Sequence, residues 1–159
     1  MAANSRQTID YVALSDFRHE IRRFLNFSEQ AARKAGIEPR QHQALLAIRG
    51  VLPGRDATVG FLADRLQIEH HTAVELANRL QKNRLISRRR SKGDRREVML
   101  RSTPRGERLL QSLTLLHRAE LVTAGPGLLR ALGKVIGKSR PAQKLARKSV
   151  RKQSSKETA

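Results

Sequence analysis

The sequence predicts a mainly α-helical fold with one small β-hairpin. Three observations predict it. Apolar residues recur at threes and fours through most of the 159 residues, which is the spacing of one helical face. One stretch, residues 97–102, alternates in twos instead, the period of a strand. Thr, Pro and Gly fall at the borders between these segments, where helices start and stop.

Residues 10–35 read as one long helix with Val12, Leu14, Phe17, Ile21, Phe24, Leu25, Ser28 and Ala32 on one face, ended by Gly36. At 1.5 Å per residue it spans roughly 35–40 Å. That is long for a chain of this size, so its apolar face serves either the core or half of a dimer interface. Pro39 suits the first position of a second helix, where its missing N–H costs nothing, and Ala44, Leu45 and Ile48 turn inward. Residues 50–56 (GVLPGRD) form a loop. Thr58 caps a short helix through Leu66, its hydroxyl accepting an orphan N–H, with Leu62, Ala63 and Leu66 inward. Three residues, 67–69, lead to a helix over 70–83, with Ala73, Val74, Ala77 and Leu80 as the expected buried stripe. Helix, tight turn, helix is the helix-turn-helix pattern.

Leu85-Ile86 begins an extended run, and residues 97–102 continue one, with Val98, Leu100 and Ser102 on one face and Met99 and Arg101 on the other. Between them lies RRRSKGDRR, in which Gly93 supplies the positive φ of a hairpin tip. A basic hairpin directly after a helix-turn-helix is the winged-helix arrangement. Thr103 then caps, and Pro104 opens, a helix to about Thr123 carrying Leu109, Leu110, Leu113, Leu116 and Leu121. Gly125-Pro126-Gly127 is expected to break the chain before a last apolar helix from about 127 to 136. From Gly137 onward there are eight Lys/Arg against one Glu and almost no large apolar residue. That tail is expected to be disordered in the free protein, there to lie along DNA phosphates or to keep the protein soluble.

The whole chain carries 33 Lys+Arg against 14 Asp+Glu, a formal charge of +19. Charge of that size repels itself and is kept for an anionic partner, nucleic acid first and a membrane surface second. No run of 18 apolar residues is present to span a membrane. The stretch MAANSRQTIDYV lacks an apolar signal core, so a cytoplasmic location is expected. The absence of cysteine excludes disulfides, thiolate zinc sites and thiol-based sensing. Aromatic residues make up 3% with no Trp, too few for a base-stacking platform, so duplex grooves and phosphates are the expected target. No paired-carboxylate motif, glycine-rich phosphate loop or metal-ligand spacing occurs. No enzymatic activity, catalytic residue, metal or cofactor is therefore expected. His19, His42 and His117 are scattered and read as surface or crevice residues.

The segments TVGFLADRLQI, EHHTAVELANRLQKNRLISR and GDRREVMLRSTPRG stand in that order, and in them the chain resembles the MarR family of bacterial winged-helix transcription regulators. The resemblance runs from the first helix to the last and excludes the tail. Its most specific part is Asp94-Arg95-Arg96 followed by a strand and a Thr-Pro-Arg-Gly helix start. Two positions depart from the family. Arg84 stands where a Gly usually precedes the Leu-Ile/Val pair, and Asn83 beside it is expected to take the left-handed conformation instead. Ser102 stands where the family usually has an apolar residue. Both changes are expected to loosen the wing base. The resemblance implies an N-terminal dimerisation helix over 1–36 and a winged helix-turn-helix DNA-binding region over 37–106. C-terminal dimerisation helices over 107–136 and the basic tail over 137–159 complete it. It also implies a homodimer on a pseudo-palindromic operator, acting as a repressor, and a small aromatic or anionic effector of the kind many relatives bind.

A helix entering the major groove reads bases from its N-terminal turns. Here those positions are His70, His71, Thr72 and Glu75, while Asn78, Arg79 and Lys82 are placed for phosphates. At the wing, Arg96 is the candidate for the minor groove, where narrow A·T tracts attract arginine. Arg88, Arg89, Arg90 and Lys92 meet phosphates or flank the groove, and Arg95 completes the DNA-binding set. By the resemblance, Asp94 braces the wing arginines through charge-assisted bonds. The blander reading makes each of these a solvated side chain and His70-His71 a polar helix start. A metal pair at His70-His71 is disfavoured because adjacent helical residues do not face each other. The expected function is a sequence-specific double-stranded DNA-binding transcription regulator. The alternative is a weakly specific architectural DNA-binding protein, which the charge and the tail favour.

Overall fold

The computed structural model describes residues 10–90 and 98–137. The elements follow in the order α1 (Tyr11–Lys34), α2 (Pro39–Arg49), α3 (Val59–Leu66), α4 (His70–Lys82), β1 (Ile86–Arg90), β2 (Val98–Ser102) and α5 (Pro104–Gly137). They divide into two compact units, Leu25–Glu120 and the pair Met1–Phe24 with Leu121–Ala159. The hairpin lies in the first unit, and α1 and α5 each contribute to both.

In the unit Leu25–Glu120 the core is built from Ala32, Ala44, Leu45, Leu62, Ala73, Ala77, Leu80 and Leu113, all fully buried. The buried face of α4 is Ala73, Leu76, Ala77 and Leu80, an i, i+3, i+4, i+7 stripe. Leu76 replaces Val74 of the expected stripe, because Val74 falls to the side of that row and is only half-buried. Thr58 caps α3 by accepting the Phe61 N–H at 3.1 Å.

Three helices end alike. The N–H of Ile37 returns to the Ala32 carbonyl at 3.1 Å, that of Ile68 to Ala63 at 3.0 Å and that of Leu85 to Leu80 at 3.0 Å. Each such closure needs a left-handed residue just before the apolar one that returns. Those residues are Gly36 (φ 76), Gln67 (φ 53) and Arg84 (φ 57). Asn83 keeps an ordinary φ of −78, so it does not take the left-handed role expected of it. The reason is register: Leu85 must enter the core, which makes position 84 left-handed whatever residue stands there. The side chain of Arg84 costs about 1–2 kcal/mol relative to Gly in that conformation.

The strands pair antiparallel, Ile86 with Ser102 through Arg90 with Val98. The wing base is tied to the entry of α3, since the Leu100 N–H donates to the Ala57 carbonyl at 2.6 Å and Thr58 bridges Met99. Ser102 does not loosen this base. Its hydroxyl donates to the Glu107 carboxylate, and Arg49 Nε lies 3.0 Å from each Glu107 oxygen. The Ser102 bond, and after it the Arg49 bond and charge, hold the Glu107 carboxyl below its ordinary value against an opposing push from burial.

The start of α5 is fastened to the end of α4. The Thr103 hydroxyl accepts the Gly106 N–H at 3.1 Å and donates to the Arg84 carbonyl at 2.7 Å, while the Thr103 N–H donates to the Leu85 carbonyl at 3.0 Å. Gly106 is buried in this junction, and a methyl group on it would overlap the Leu85 carbonyl oxygen.

Gly125-Pro126-Gly127 does not break the chain as expected: α5 runs through it without interruption. Proline removes one helical N–H and crowds only the preceding turn, a penalty of about 3 kcal/mol. The rows on either side compensate within the second unit, where Ala13, Ala124 and Ala131 are buried and Lys134 lies 3.5 Å from Asp16. In that unit Tyr11, Val12, Leu14, Leu121, Val122, Leu129 and Ile136 are all exposed. Among the described residues no helix is long and apolar enough to cross a membrane.

Candidate nucleic-acid interface

With Ala73, Leu76, Ala77 and Leu80 against the core, the opposite face of α4 carries His71, Glu75, Asn78 and Lys82, all exposed. His70 and Arg79 are exposed as well, and Thr72 is half-buried. The helix opens at Glu69 in extended geometry with no side-chain cap, so its first-turn N–H groups are left without that partner. Glu75 lies 3.7 Å from Arg79, both largely exposed, and such a surface pair holds weakly. Thr72, Glu75 and Arg79 also border a cavity of about 490 Å³ shared with Glu29 and Arg33 of α1 and Gln41 of α2. The seven α4 residues expected from sequence are therefore not equivalent. His71, Asn78 and Lys82 face straight out, while Thr72 and Arg79 sit on one flank.

On the wing, successive residues alternate faces. Arg88 pairs with Leu100, which is 2% exposed, and the two side chains share the core face. Arg88 is accordingly half-buried, and its Nε and one Nη are shut off from water with no hydrogen-bond partner among the described residues. Arg89 and Arg90 are exposed. Lys92, Asp94, Arg95 and Arg96 lie outside the described residues, as do the Gly93 tip and the tail beyond Gly137.

Sequence reasoning missed two cations beside this surface. Arg101 is exposed on β2 and lies 3.8 Å from Asp56; the strand alternation had already placed it outward. Arg84 is exposed at the junction of α4 and β1. Two of the three scattered histidines come together. His42 is buried at 3% exposure, and its ring stacks on that of His117 with centroids 4.9 Å apart. Reading the Leu45 and Ile48 row back by three residues would have found His42 on the inward face. Among the described residues no group of three or more His, Cys, Asp or Glu is placed to hold a metal.

Comparison with known proteins agrees with this architecture. A family model described as the MarR family matches residues 35–97. Over 58 residues the chain is 36% identical to the uncharacterized HTH-type transcriptional regulator YsmB of Bacillus subtilis, covering 36% of this chain and 40% of that one. The chain thus spans less than half the length of the curated relative it matches. Among solved structures, a MarR family transcriptional regulator of Streptomyces coelicolor, AbsC, is similar with a TM-score of 0.65 at 16% identity. That likeness covers 92% of this chain and 97% of the other. The S. aureus MepR–DNA complex is similar with a TM-score of 0.59 at 20% identity, over 81% of this chain and 98% of that one. At such identities the likeness is one of fold.

Proposed function

We propose that the chain is a member of the MarR family, a transcription regulator that binds double-stranded DNA sequence-specifically as a homodimer. The observation that carries this reading is the exposed polar face of α4, raised on a fully apolar buried face and followed at once by a basic strand. A helix held in that way enters the major groove with its first turns toward the bases. His70 and His71 then donate or accept at purine edges, Thr72 meets a thymine methyl, and Glu75 accepts from cytosine. Asn78, Arg79 and Lys82 fix the register on phosphates.

Arg89, Arg90, Lys92 and Arg95 extend the phosphate contacts along the wing, and Arg96 enters the minor groove. Arg88 has a different part. Its guanidinium is turned toward the core rather than the groove, and Asp94 is the carboxylate expected to brace the wing arginines through charge-assisted bonds. The exposed apolar residues of the second unit support a two-fold dimer, with residues 1–36 and 107–136 as the dimerisation helices. A two-fold dimer in turn implies a pseudo-palindromic operator. Repression follows where such an operator overlaps a promoter. Release by a small aromatic anion is supported by an apolar cavity of about 350 Å³ in the unit Leu25–Glu120, lined by Phe27, Ala31, Leu116 and Lys34. It offers a ring, aliphatic walls and one cation, the composition of a small-ligand site.

The architectural alternative rests on the charge of +19. Competition binding separates the two. A selected duplex should resist random-sequence competitor by about a thousandfold or more, as specific regulators do. Equal displacement by random and selected duplex would establish the coating protein instead.

A further inference from the structure

We propose that the stacked His42–His117 pair is a proton-operated latch that holds α2 against α1 and α5, so that acidification loosens the latch and weakens DNA binding. The inference rests on the DNA-binding reading and adds a regulatory input to it. All of its parts lie within the unit Leu25–Glu120.

The geometry fixes the proton positions. His117 Nδ1 lies 2.5 Å from the Leu113 carbonyl oxygen, which can only accept, so Nδ1 carries a hydrogen. His117 Nε2 lies 2.7 Å from Ser28 Oγ and, in the neutral ring, accepts the hydroxyl proton. Phe27 meets the same ring edge-on, with centroids 5.8 Å apart. On the other side lies the His42 ring, 4.9 Å away and tilted by 26°. Thus α1 supplies Phe27 and Ser28, α2 supplies His42 and α5 supplies His117.

A proton on each ring would set two cationic rings face to face, 4.9 Å apart, in a site where His42 is 3% exposed. Burial first, and the charge of His117 second, hold the His42 ring below its ordinary 6.5. The charged groups on the neighbouring elements do not relieve it. Glu29 and Arg33 of α1, Glu38 just before α2, Arg40 of α2, and Glu75 and Arg79 of α4 border the cavity that reaches Gln41, the residue beside His42. Arg33 lies 3.2 Å from Glu29 and Arg79 3.7 Å from Glu75. From α5 the facing group is His117, the one charge that acts on His42. With the folded value depressed, the unfolded chain binds more protons. The stability from the neutral pair is complete above 6.5 and is lost as pH falls through the folded value.

DNA binding alone would respond in the opposite sense. Any imidazole that charges beside a phosphate tightens the grip on DNA. The latch is therefore read first on the free full-length protein. NMR titration of the histidine ring protons should show one ring titrating below 6.5, and the thermal midpoint should fall from about pH 7.5 to about pH 5.5. His42→Gln should flatten that fall. On a duplex at constant ionic strength, wild type should lose affinity relative to His42→Gln as the pH falls over the same range. If His42→Gln does not fold, His117→Gln removes the other half of the pair and should flatten the profile equally. Two rings titrating independently near 6.5, or a variant that keeps the wild-type pH profile, would overturn the latch. Duplex binding that fails at every pH counts against the DNA-binding reading, while the ring titration still decides the latch on the free protein.

Discussion

Alanine at Gly106 should destabilise the fold by about 3 kcal/mol, the upper part of the range for inserting a methyl group where there is no room. Helix propensity points the other way. Replacing Gly by Ala inside a helix ordinarily gains about 0.5–1 kcal/mol. The sign of the result therefore reports local geometry. The added methyl overlaps the Leu85 carbonyl oxygen and lies 3.3 Å from Leu45 Cδ1. That carbonyl is held in place by the Thr103 N–H, and Leu45 is fully buried, so neither neighbour gives way easily. Urea or thermal unfolding checks it, with a loss of about 10 °C in the midpoint expected. Arg105→Ala, at the exposed neighbouring position, should stay within about 0.5 kcal/mol of wild type. A Gly106→Ala protein as stable as wild type would mean that α5 does not approach the end of α4 this closely.

Alanine at Arg96 should weaken duplex binding by about ten- to a hundredfold, the range of 1–3 kcal/mol for a groove-directed arginine. It should leave the unfolding midpoint unchanged. Arg96 falls in the sequence between the paired Arg90 and Val98 and is not one of the described core residues. Arg101→Ala is the useful contrast, since Arg101 is exposed on β2 and engaged with Asp56 at 3.8 Å; its effect should be smaller. Fluorescence anisotropy on a labelled duplex reads both. Unchanged affinity in Arg96→Ala would remove that residue from the interface.

The helix-turn-helix was legible in the sequence because its cues are local. Thr58 caps α3, three residues make the turn, and the apolar rows of α3 and α4 keep helical spacing. The hairpin was legible because two-residue alternation over 98–102 cannot be mistaken for a helix. What was not legible depends on neighbours far along the chain. Arg84 is left-handed because Leu85 is drawn into a core built by other helices, overriding the local preference of Asn83. Pro126 stays inside α5, and nothing local to the Gly-Pro-Gly triplet signals that the helix continues through it. Ser102 strengthens the wing base only because Glu107 and Arg49 reach it. His42 looked like one more scattered histidine until its helix face and the distant His117 were brought together. Within the site, the alternation of β1 puts Arg88 on the core face with Leu100 and Arg89 on the other face, while Arg90, on the same side as Arg88, is exposed at the end of the strand.

The +19 charge of this chain is expected to neutralise duplex phosphates. A dimer that neutralises six to ten phosphates should lose affinity with a slope of roughly −5 to −9 in log affinity against log salt. The measurement is equilibrium titration of the full-length protein against one duplex over a series of salt concentrations. A slope in that range bears out the account. A nearly flat line would contradict it, because no arrangement of α4 and the wing on DNA could avoid releasing counterions.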